Sequence, residues 1–174
     1  VIVGEVRGRE AYVLFQGMSA GHPSFGTMHA EDVKTMIRRL ETPPINLSPS
    51  LVESLDVVCV MTEANIKEKS VRRISEIVEI EQVRSGLANI VVNTPFIWNP
   101  KTDMFYFKMD SRIFDKIVAH HAVTREQIYN EFKLRSKLLM ELYKRKIIGF
   151  KEVQNIISAY YKDKDAVLRK FNLK

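Results

Sequence analysis

Apolar and polar positions divide the chain into a mixed first part and a helical last third. The run from Val1 to Val3 is apolar and β-branched, which is typical of a buried parallel strand. Helical spacing follows over Glu10 to Met18, and the apolar segment from Phe25 to Met28 predicts the next strand. A strand, a connecting helix and a second strand predict an α/β fold in which the two strands are parallel.

Residues 31 to 107 predict short helices followed by strands. Apolar residues at helical spacing indicate a helix from Glu31 to Leu40, and Ser48 with Pro49 begins another short helix. Two strands and the two arms of a hairpin then follow, over Val57 to Met61, Val71 to Ile80, Ile90 to Trp98 and Met104 to Phe107. Pro95 predicts that the first arm is an edge or bulged strand, and Gly86 breaks the chain before it.

The last third of the chain predicts four helices. Asp110 or Ser111 caps the first, and Thr124 with Gln127 forms a capping box for a long second helix. That helix is predicted to end before Gly149, which suits the left-handed position after a helix. Strands therefore give way to helices near residue 109, and the sequence predicts two domains, residues 1–109 and 110–174.

Two residues with reactive side chains follow the first two predicted strands. Glu5 comes directly after the first strand and His29 after the second. Because the carboxyl ends of parallel strands meet at one edge of a sheet, Glu5, Arg7 and His29 are expected to lie together there. A carboxylate at such an edge can polarise an attacking water and help to hold hydrated Mg²⁺. Taken alone, Glu5 also fits the plainer interpretation of a solvated turn residue.

Composition and charge narrow the class of protein. A hydrophobic fraction of 45% supplies a core, and no apolar stretch approaches the ~20 residues of a membrane-spanning helix. The single cysteine, Cys59, lies in an apolar run and predicts a buried structural thiol, which fits a reducing, cytoplasmic setting.

The net charge of +6 is uneven, since residues 1–87 carry a net charge of −2 and residues 88–174 carry +8. A set of cationic residues lies on the predicted long helix or at its end. Its members are Lys133, Arg135, Lys137, Lys144, Arg145 and Lys146. Such a set is usually a solvated helix face, and the functional alternative is docking to a partner protein or an anionic membrane surface. RNA-binding aromatic motifs and zinc-finger spacings are absent from the sequence, which disfavours nucleic acid as a partner.

Two linked motifs carry a resemblance to a known family. The residues VIVGEVRGREA resemble the Walker B segment of the secretion motor ATPases, in which an apolar strand precedes Gly-Glu, Arg and Glu-Ala. The residues GMSAGHPSFGTMHA resemble the histidine box of the same family. These are the hexameric P-loop ATPases of type II secretion, type IV pili and the archaellum, and the later part of the chain looks like their archaeal branch.

The resemblance implies roles for the site residues. Glu5 is expected to be the catalytic carboxylate and to hold Mg²⁺ indirectly, through water, while Arg7 and His29 lie near the γ-phosphate of ATP. The other matched positions are expected on the cofactor-binding side, and they are Gly4, His22 and Thr27.

The resemblance also implies an architecture and a setting. It implies the C-terminal half of a RecA-like ATPase core with an added hairpin, followed by a helical subdomain. The parent protein is expected to be a cytoplasmic hexamer beside the membrane, bound to a membrane platform protein. Its expected activity is ATP hydrolysis that powers protein secretion or the assembly of a type IV pilus or archaellum.

One expected motif is missing from the sequence. No G-x-x-x-x-G-K-S/T phosphate loop occurs, although that loop supplies the backbone cradle and the lysine that bind the phosphates. The chain is therefore interpreted as a C-terminal fragment that is inactive by itself. The competing hypothesis is a non-catalytic α/β interaction module whose basic helical surface binds a partner protein or an anionic membrane.

Overall fold

The fold is mixed α/β, as predicted, and a computed structural model describes residues 1–66, 68–84 and 89–173 of it. Over these residues the backbone forms a parallel two-stranded sheet, an antiparallel four-stranded sheet and seven helices. The predicted break at Gly86 lies outside the described residues. The chain divides into two compact units, Val1–Ile113 and Phe114–Lys174. The assignment of residues 1–109 to an ATPase core and of residues 110–174 to a helical subdomain stays a prediction.

The first sheet consists of strands β1 (Ile2–Val3) and β2 (Phe25–Gly26), which helix α1 (Glu10–Ser19) connects. The strands are parallel, as predicted, and Ile2 pairs with Phe25. The sequence predicted that β1 is buried, and this is wrong for its first residues, since Ile2 is exposed. In the part of the chain that the structure describes, β1 pairs with one strand only, and a two-stranded sheet leaves much of its surface uncovered.

Two further helices cover the core of the first unit. Helix α2 (Val33–Glu41) begins after Asp32, whose carboxylate accepts a hydrogen bond from the Thr35 amide at 2.6 Å. Helix α3 (Pro49–Val52) begins after Ser48, as predicted. The apolar stripe of α2 is buried, and its members are Val33, Met36, Ile37 and Leu40.

The second sheet is antiparallel and contains four strands in the order β3-β4-β5-β6. These are β3 (Val57–Ile66), β4 (Lys69–Arg84), β5 (Asn89–Asn99) and β6 (Met104–Phe107). Strands β3 and β4 extend beyond the predicted apolar runs because polar residues continue the ladder. Glu63 pairs with Arg72, and opposite charges on facing positions stabilise such a pair.

Cys59 is exposed, so the prediction of a buried thiol is wrong. Residues along β3 alternate between exposed and half-buried, and Val58 and Val60 pack against the core. Among the described strands β3 lies at the end of its sheet, and one face of an antiparallel sheet commonly meets solvent. Cys59 therefore falls on the solvent face, although its neighbours in the sequence are apolar.

The predicted hairpin of β5 and β6 is confirmed, including the irregularity at Pro95. The register between β4 and β5 shifts where Ile77 pairs with Phe96 and Glu79 pairs with Asn93. Pro95 lies within this bulge, where a missing amide hydrogen interrupts no ladder bond.

A buried carboxylate on β4 accepts hydrogen bonds from the residues around the start of the helix predicted near residue 110, whose cap by Asp110 or Ser111 stays a prediction. Ser111 donates its hydroxyl to Glu79 at 2.6 Å, and the Glu79 carboxylate accepts a hydrogen bond from the Arg112 amide at 2.7 Å. The backbone amide of Arg112 is at the start of helix α4 (Arg112–His120). A carboxylate from a distant strand thus satisfies a backbone amide in the first turn of this helix.

The second unit is built from α5 (Arg125–Lys144), α6 (Phe150–Lys162) and α7 (Lys164–Lys170), together with most of α4. The predicted capping box is confirmed, since Thr124 and Gln127 each accept the other's backbone amide. The buried core of this unit consists of Leu138, Leu142, Tyr160, Val167, Leu168 and Phe171. No helix within the described residues combines the length and the apolar character needed to cross a bilayer.

Two predictions about the end of α5 are wrong. The left-handed residue is Lys146, with φ of 56°, whereas Gly149 has φ of −65° and is the N-cap of α6. The helix ends earlier than predicted because the Ile147 amide already closes it onto the Leu142 carbonyl at 2.9 Å. Leu139, on the last two turns of α5, is exposed, whereas its neighbour Leu138 is buried.

Candidate functional site

The two segments that leave β1 and β2 run beside each other and are joined by hydrogen bonds. The Val6 amide donates to the Thr27 carbonyl at 2.7 Å, and the Thr27 hydroxyl donates to the Gly4 carbonyl at 2.6 Å. Pairing thus continues past the assigned ends of the strands. It fixes the backbone at the carboxyl edge of this sheet, where the site residues emerge.

Glu5, Arg7 and His29 lie in contact at this edge. The Arg7 Nη2 atom donates to Glu5 Oε2 at 2.7 Å, and His29 Nε2 lies 3.5 Å from Glu5 Oε1. The Glu5 side chain is 29% exposed, while those of Arg7 and His29 are 75% and 86% exposed. A largely covered carboxylate therefore lies between two cationic or potentially cationic groups that face solvent.

The backbone around Arg7 is held by Glu10, in the first turn of α1. The Glu10 carboxylate accepts hydrogen bonds from the amides of Arg7 and Gly8, the latter at 2.7 Å. These backbone bonds, with that of Arg7 the largest contribution, lower the pKa of Glu10. Glu10 therefore acts as a positioning residue for the segment that carries Arg7.

Glu5 is kept ionised by its surroundings. The hydrogen bond from Arg7 lowers the pKa of Glu5, partial burial opposes this, and the charges of Arg7, His29 and Arg39 lower it further. The same hydrogen bond raises the pKa of Arg7. At neutral pH Glu5 is therefore a stable acceptor of hydrogen bonds.

Arg39 is a member of the site that the sequence did not reveal. It lies on α2, and its guanidinium donates to the backbone carbonyl of His29. Its contact depends on how α2 packs beside β2, and no local sequence motif encodes that packing.

The predicted cofactor-binding residues separate into two places. Gly4 and Thr27 lie at the carboxyl edge, bonded to each other. His22 lies in the turn before β2, where its amide donates to the Gly17 carbonyl, and the neighbouring Pro23 carbonyl accepts the amino terminus of Val1 at 2.7 Å. His22 is therefore at the amino end of the two strands, and the structure does not bring it to Glu5.

The described residues fit indirect binding of a divalent cation, through water, better than direct binding by several side chains. Among the described residues no group of three or more His, Cys, Asp or Glu side chains is arranged to hold a metal ion. Mg²⁺ commonly keeps several waters and binds through one or two carboxylates together with substrate phosphates. A single ionised carboxylate such as Glu5 fits this mode, in which water lies between the carboxylate and the ion.

An apolar groove of about 620 Å³ opens next to the site. It lies between the segment that contains β2 and strand β3. Residues that line it include Phe25, Met28, His29, Val58 and Cys59. The imidazole of His29 therefore borders both the carboxylate cluster and this groove.

A family comparison covers this part of the chain. Residues 1–96 match the family described as "Type II/IV secretion system protein". The chain belongs to this family. The matched region contains the Glu5, Arg7 and His29 cluster and the groove beside it, whereas the second unit lies beyond it.

Three curated relatives come from Methanocaldococcus jannaschii. The chain is 35% identical to uncharacterized protein MJ1287 over 146 residues, which are 84% of this chain and 54% of that protein. It is 35% identical to uncharacterized protein MJ0900 over 165 residues, 92% of this chain and 30% of that protein. Uncharacterized protein MJ0781 is 26% identical over 144 residues, 83% of this chain and 20% of that protein.

The chain spans about half the length of the first of these relatives and smaller shares of the other two. The similarity to MJ0900 extends over more residues than the family match does, so part of it lies in the later strands and the helical unit. The roles assigned to individual site residues stay predictions.

Proposed function

We propose that this chain is the C-terminal part of an ATPase that powers protein secretion or the assembly of a type IV pilus or archaellum. The observation that carries the proposal is the position of Glu5, an ionised carboxylate between Arg7 and His29 at the carboxyl edge of parallel strands. Ligand chemistry in α/β proteins concentrates at this edge. Membership of the secretion-system family supports the same function.

Glu5 has the properties of a residue that orients an attacking water. Because its pKa is lowered, it stays ionised and accepts a hydrogen bond from water, which directs a lone pair of that water toward the phosphorus. Glu5 would hold Mg²⁺ through water, and the ion would supply positive charge that offsets the charge of the phosphates. Neither role requires a raised pKa.

Arg7 and His29 provide hydrogen-bond donors on the solvent side of Glu5. Their side chains are mostly exposed, so an incoming phosphate meets them without breaking a buried contact. Arg7 exchanges part of its bond with Glu5 for a phosphate oxygen, which suits a planar guanidinium. Arg39 and Glu10 position the two segments through backbone bonds.

The phosphate cradle is assigned to a segment outside these 174 residues, since the sequence has no phosphate loop. Hexameric assembly, a membrane platform protein as partner and a location at the cytoplasmic face of the membrane belong to the same proposal. The share of MJ1287 that the chain spans leaves room for such a segment in a longer protein.

The proposal is tested by Glu5→Gln in the longer protein that contains this chain and a phosphate loop. We expect ATP turnover to fall about 100- to 10,000-fold, because the neutral amide lacks the charge that orients the attacking water and would help to hold hydrated Mg²⁺. Nucleotide affinity is expected to stay within about threefold, since the phosphate loop dominates binding. Steady-state turnover and equilibrium binding of a fluorescent nucleotide measure the two effects.

Glu31→Gln is the matched control, because Glu31 is an exposed carboxylate two residues beyond His29. It is expected to retain wild-type turnover. Equal losses of turnover in the two variants, or full activity of Glu5→Gln, would contradict the role of Glu5.

The 174-residue chain alone is expected to show no ATP turnover above background, because it has no phosphate loop. Robust turnover that Glu5→Gln abolishes would contradict the assignment of the phosphate cradle to another segment.

A further inference from the structure

The connection between α5 and α6 carries an unusual set of exposed apolar side chains. Tyr143, Ile148 and Phe150 are 75%, 77% and 80% exposed, and all three lie within eight residues of one another. Leu139 and Met140, one turn earlier on α5, are also exposed. Isolated exposed apolar residues are ordinary, but a concentrated group marks a surface that meets another phase or partner.

The backbone holds this group outward. Leu139 and Tyr143 are four residues apart on α5 and therefore lie on one helix face. The chain then turns at Lys146, and Ile147 packs against the core of the second unit. Because Ile147 anchors the turn, the residues that follow it are directed away from the core. We call residues 139–151 the helical tip.

Lysines surround the helical tip. Lys137, Lys144, Lys146 and Lys151 are exposed, and the only arginine among residues 139–151 is Arg145. The acidic residue Glu141 bonds Lys144 at 2.9 Å and lies 3.5 Å from Arg145. A second carboxylate, Glu152, lies against Gly149 at the start of α6. Cations outnumber acids even with both carboxylates counted.

Two of the cations in the basic set predicted on the long helix make contacts within the second unit. Arg135 donates to Glu131 at 2.8 Å and its guanidinium lies over the rings of Tyr160 and Tyr161. Arg145 lies over the ring of Phe171. Both arginines are therefore engaged within the second unit. Exposed lysines remain on α5 and in the helical tip, and they are Lys133, Lys137, Lys144, Lys146 and Lys151, of which Lys144 is paired with Glu141.

We propose that the helical tip inserts into the interface of an anionic lipid bilayer. Its apolar side chains enter the boundary between headgroups and acyl chains, and its lysines contact lipid phosphates. Two features favour lipid over a protein partner. Side chains that are three-quarters exposed protrude, whereas a helix that binds a protein usually lays a face into a groove. Lysine is a flexible point charge that reaches headgroups while its stem stays in the interface.

This inference goes beyond the ATPase proposal and does not depend on it. A catalytic Glu5 and an interfacial helical tip occupy different units of the chain. Vesicle binding by the 174-residue chain needs no nucleotide, so failure of one proposal leaves the other standing.

Co-sedimentation with vesicles tests the insertion. The chain is expected to bind vesicles of phosphatidylcholine with phosphatidylglycerol, and to bind pure phosphatidylcholine vesicles about tenfold more weakly or less. The double variant Ile148→Ser with Phe150→Ser is expected to lose about tenfold or more of the anionic-vesicle affinity. Both residues are exposed, so circular dichroism is expected to show an unchanged fold.

The matched control is the double variant Tyr12→Ser with Val13→Ser, which changes an exposed aromatic and an exposed aliphatic residue on α1. This variant is expected to bind anionic vesicles as the wild type does.

The charge contribution has a separate test. Lys146→Gln and Lys151→Gln are each expected to weaken binding about fivefold, and the remaining affinity is expected to depend less on salt. An unchanged salt dependence of vesicle binding in the double variant Lys146→Gln with Lys151→Gln would contradict the contact between these lysines and lipid phosphates.

Tryptophan fluorescence distinguishes insertion from surface attachment. Trp98 is buried and supplies a constant background, so Phe150→Trp reports on the helical tip. Its added emission is expected to shift to the blue with anionic vesicles and to be quenched by lipids brominated near the headgroup. Absence of wild-type vesicle binding, or binding that the Ile148 and Phe150 double variant retains in full, overturns the proposal. The first result leaves the helical tip to a protein partner.

Discussion

Glu5 in the first unit and Glu131 in the second are carboxylates with equal exposure and different partners. Both side chains are 29% exposed, and both accept a hydrogen bond from an arginine. The network around Glu131 has further contacts, since Arg135 also lies over two tyrosine rings and Glu131 accepts from Lys164 as well. The partners of Glu5 stand mostly in solvent.

The pKa values sharpen the same contrast. Burial alone would raise the pKa of Glu131, but hydrogen bonds from Lys164, Arg135 and Tyr160 outweigh it and lower the pKa to about 2. The pKa of Glu5 is also lowered, mainly by Arg7. A perturbed pKa therefore does not distinguish a functional site from a structural network here. The exposure of the cationic partners does distinguish the two sites. Arg7 and His29 stand mostly in solvent, so they can turn from Glu5 toward a ligand without breaking buried contacts.

The largest expected effect on stability comes from Glu131→Gln. The substitution leaves the charge of Lys164 without its carboxylate and weakens the contacts that join α5 to α7. We expect the second unit to lose on the order of 2 kcal/mol of stability. Hydrogen exchange of the α5 and α6 amides measures this loss locally. Glu5→Gln is the control and is expected to leave that exchange unchanged, whereas equal effects of the two variants would remove the contrast.

The pH dependence of the second unit follows from Glu131. Its folded pKa of about 2 lies below the ordinary value of 4.5, so the unfolded chain binds the proton more tightly. The stabilisation by ionised Glu131 is therefore complete above pH about 4.5 and is lost as the pH falls toward 2. The stability gap between wild type and Glu131→Gln should close over this window in acid-unfolding curves. A gap that stays constant down to pH about 2 would contradict the assignment.

A smaller effect is expected when Arg7 is changed to Gln. The pKa of Glu5 should rise toward its ordinary value, because Arg7 supplies the largest lowering contribution. The pKa of Glu131 should not move, since its cations belong to the second unit. Carbon-13 NMR of the labelled glutamate carboxyls reports both values in one titration. Arg125→Gln, which removes an exposed arginine bonded to Asp115, is the control and should move neither value.

Features that depend on neighbouring residues could be predicted from the sequence. The strand, helix and strand order at the start and the capping box of Thr124 and Gln127 each involve residues close in the chain. The bulge at Pro95 follows from one missing amide hydrogen. The contact between Glu5 and His29 could also be predicted, because each follows a parallel strand and the carboxyl ends of parallel strands lie at the same edge of a sheet.

Features that depend on tertiary packing could not be predicted in the same way. Cys59 has apolar neighbours but occupies the solvent face of β3, which only the sheet order determines. Arg39 reaches the backbone of His29 from helix α2, and Glu79 satisfies an amide that is 33 positions away. His22 and His29 belong to the same predicted motif, but β2 lies between them in the sequence. His22 therefore lies before the amino end of β2, and His29 lies after its carboxyl end.

The contrast between the two carboxylates is tested most directly by nucleotide titration of the longer protein, monitored by NMR of labelled glutamate carboxyls and histidine rings. With Mg²⁺ and a slowly hydrolysed ATP analogue, the Glu5 and His29 signals are expected to move with one common dissociation constant. The signal of Glu131, which is bonded to Lys164, Arg135 and Tyr160 in the second unit, is expected to stay in place. Glu5 and His29 signals that remain still while nucleotide binds, or a Glu131 signal that moves with them, would contradict a phosphate-facing role for the edge of the first sheet.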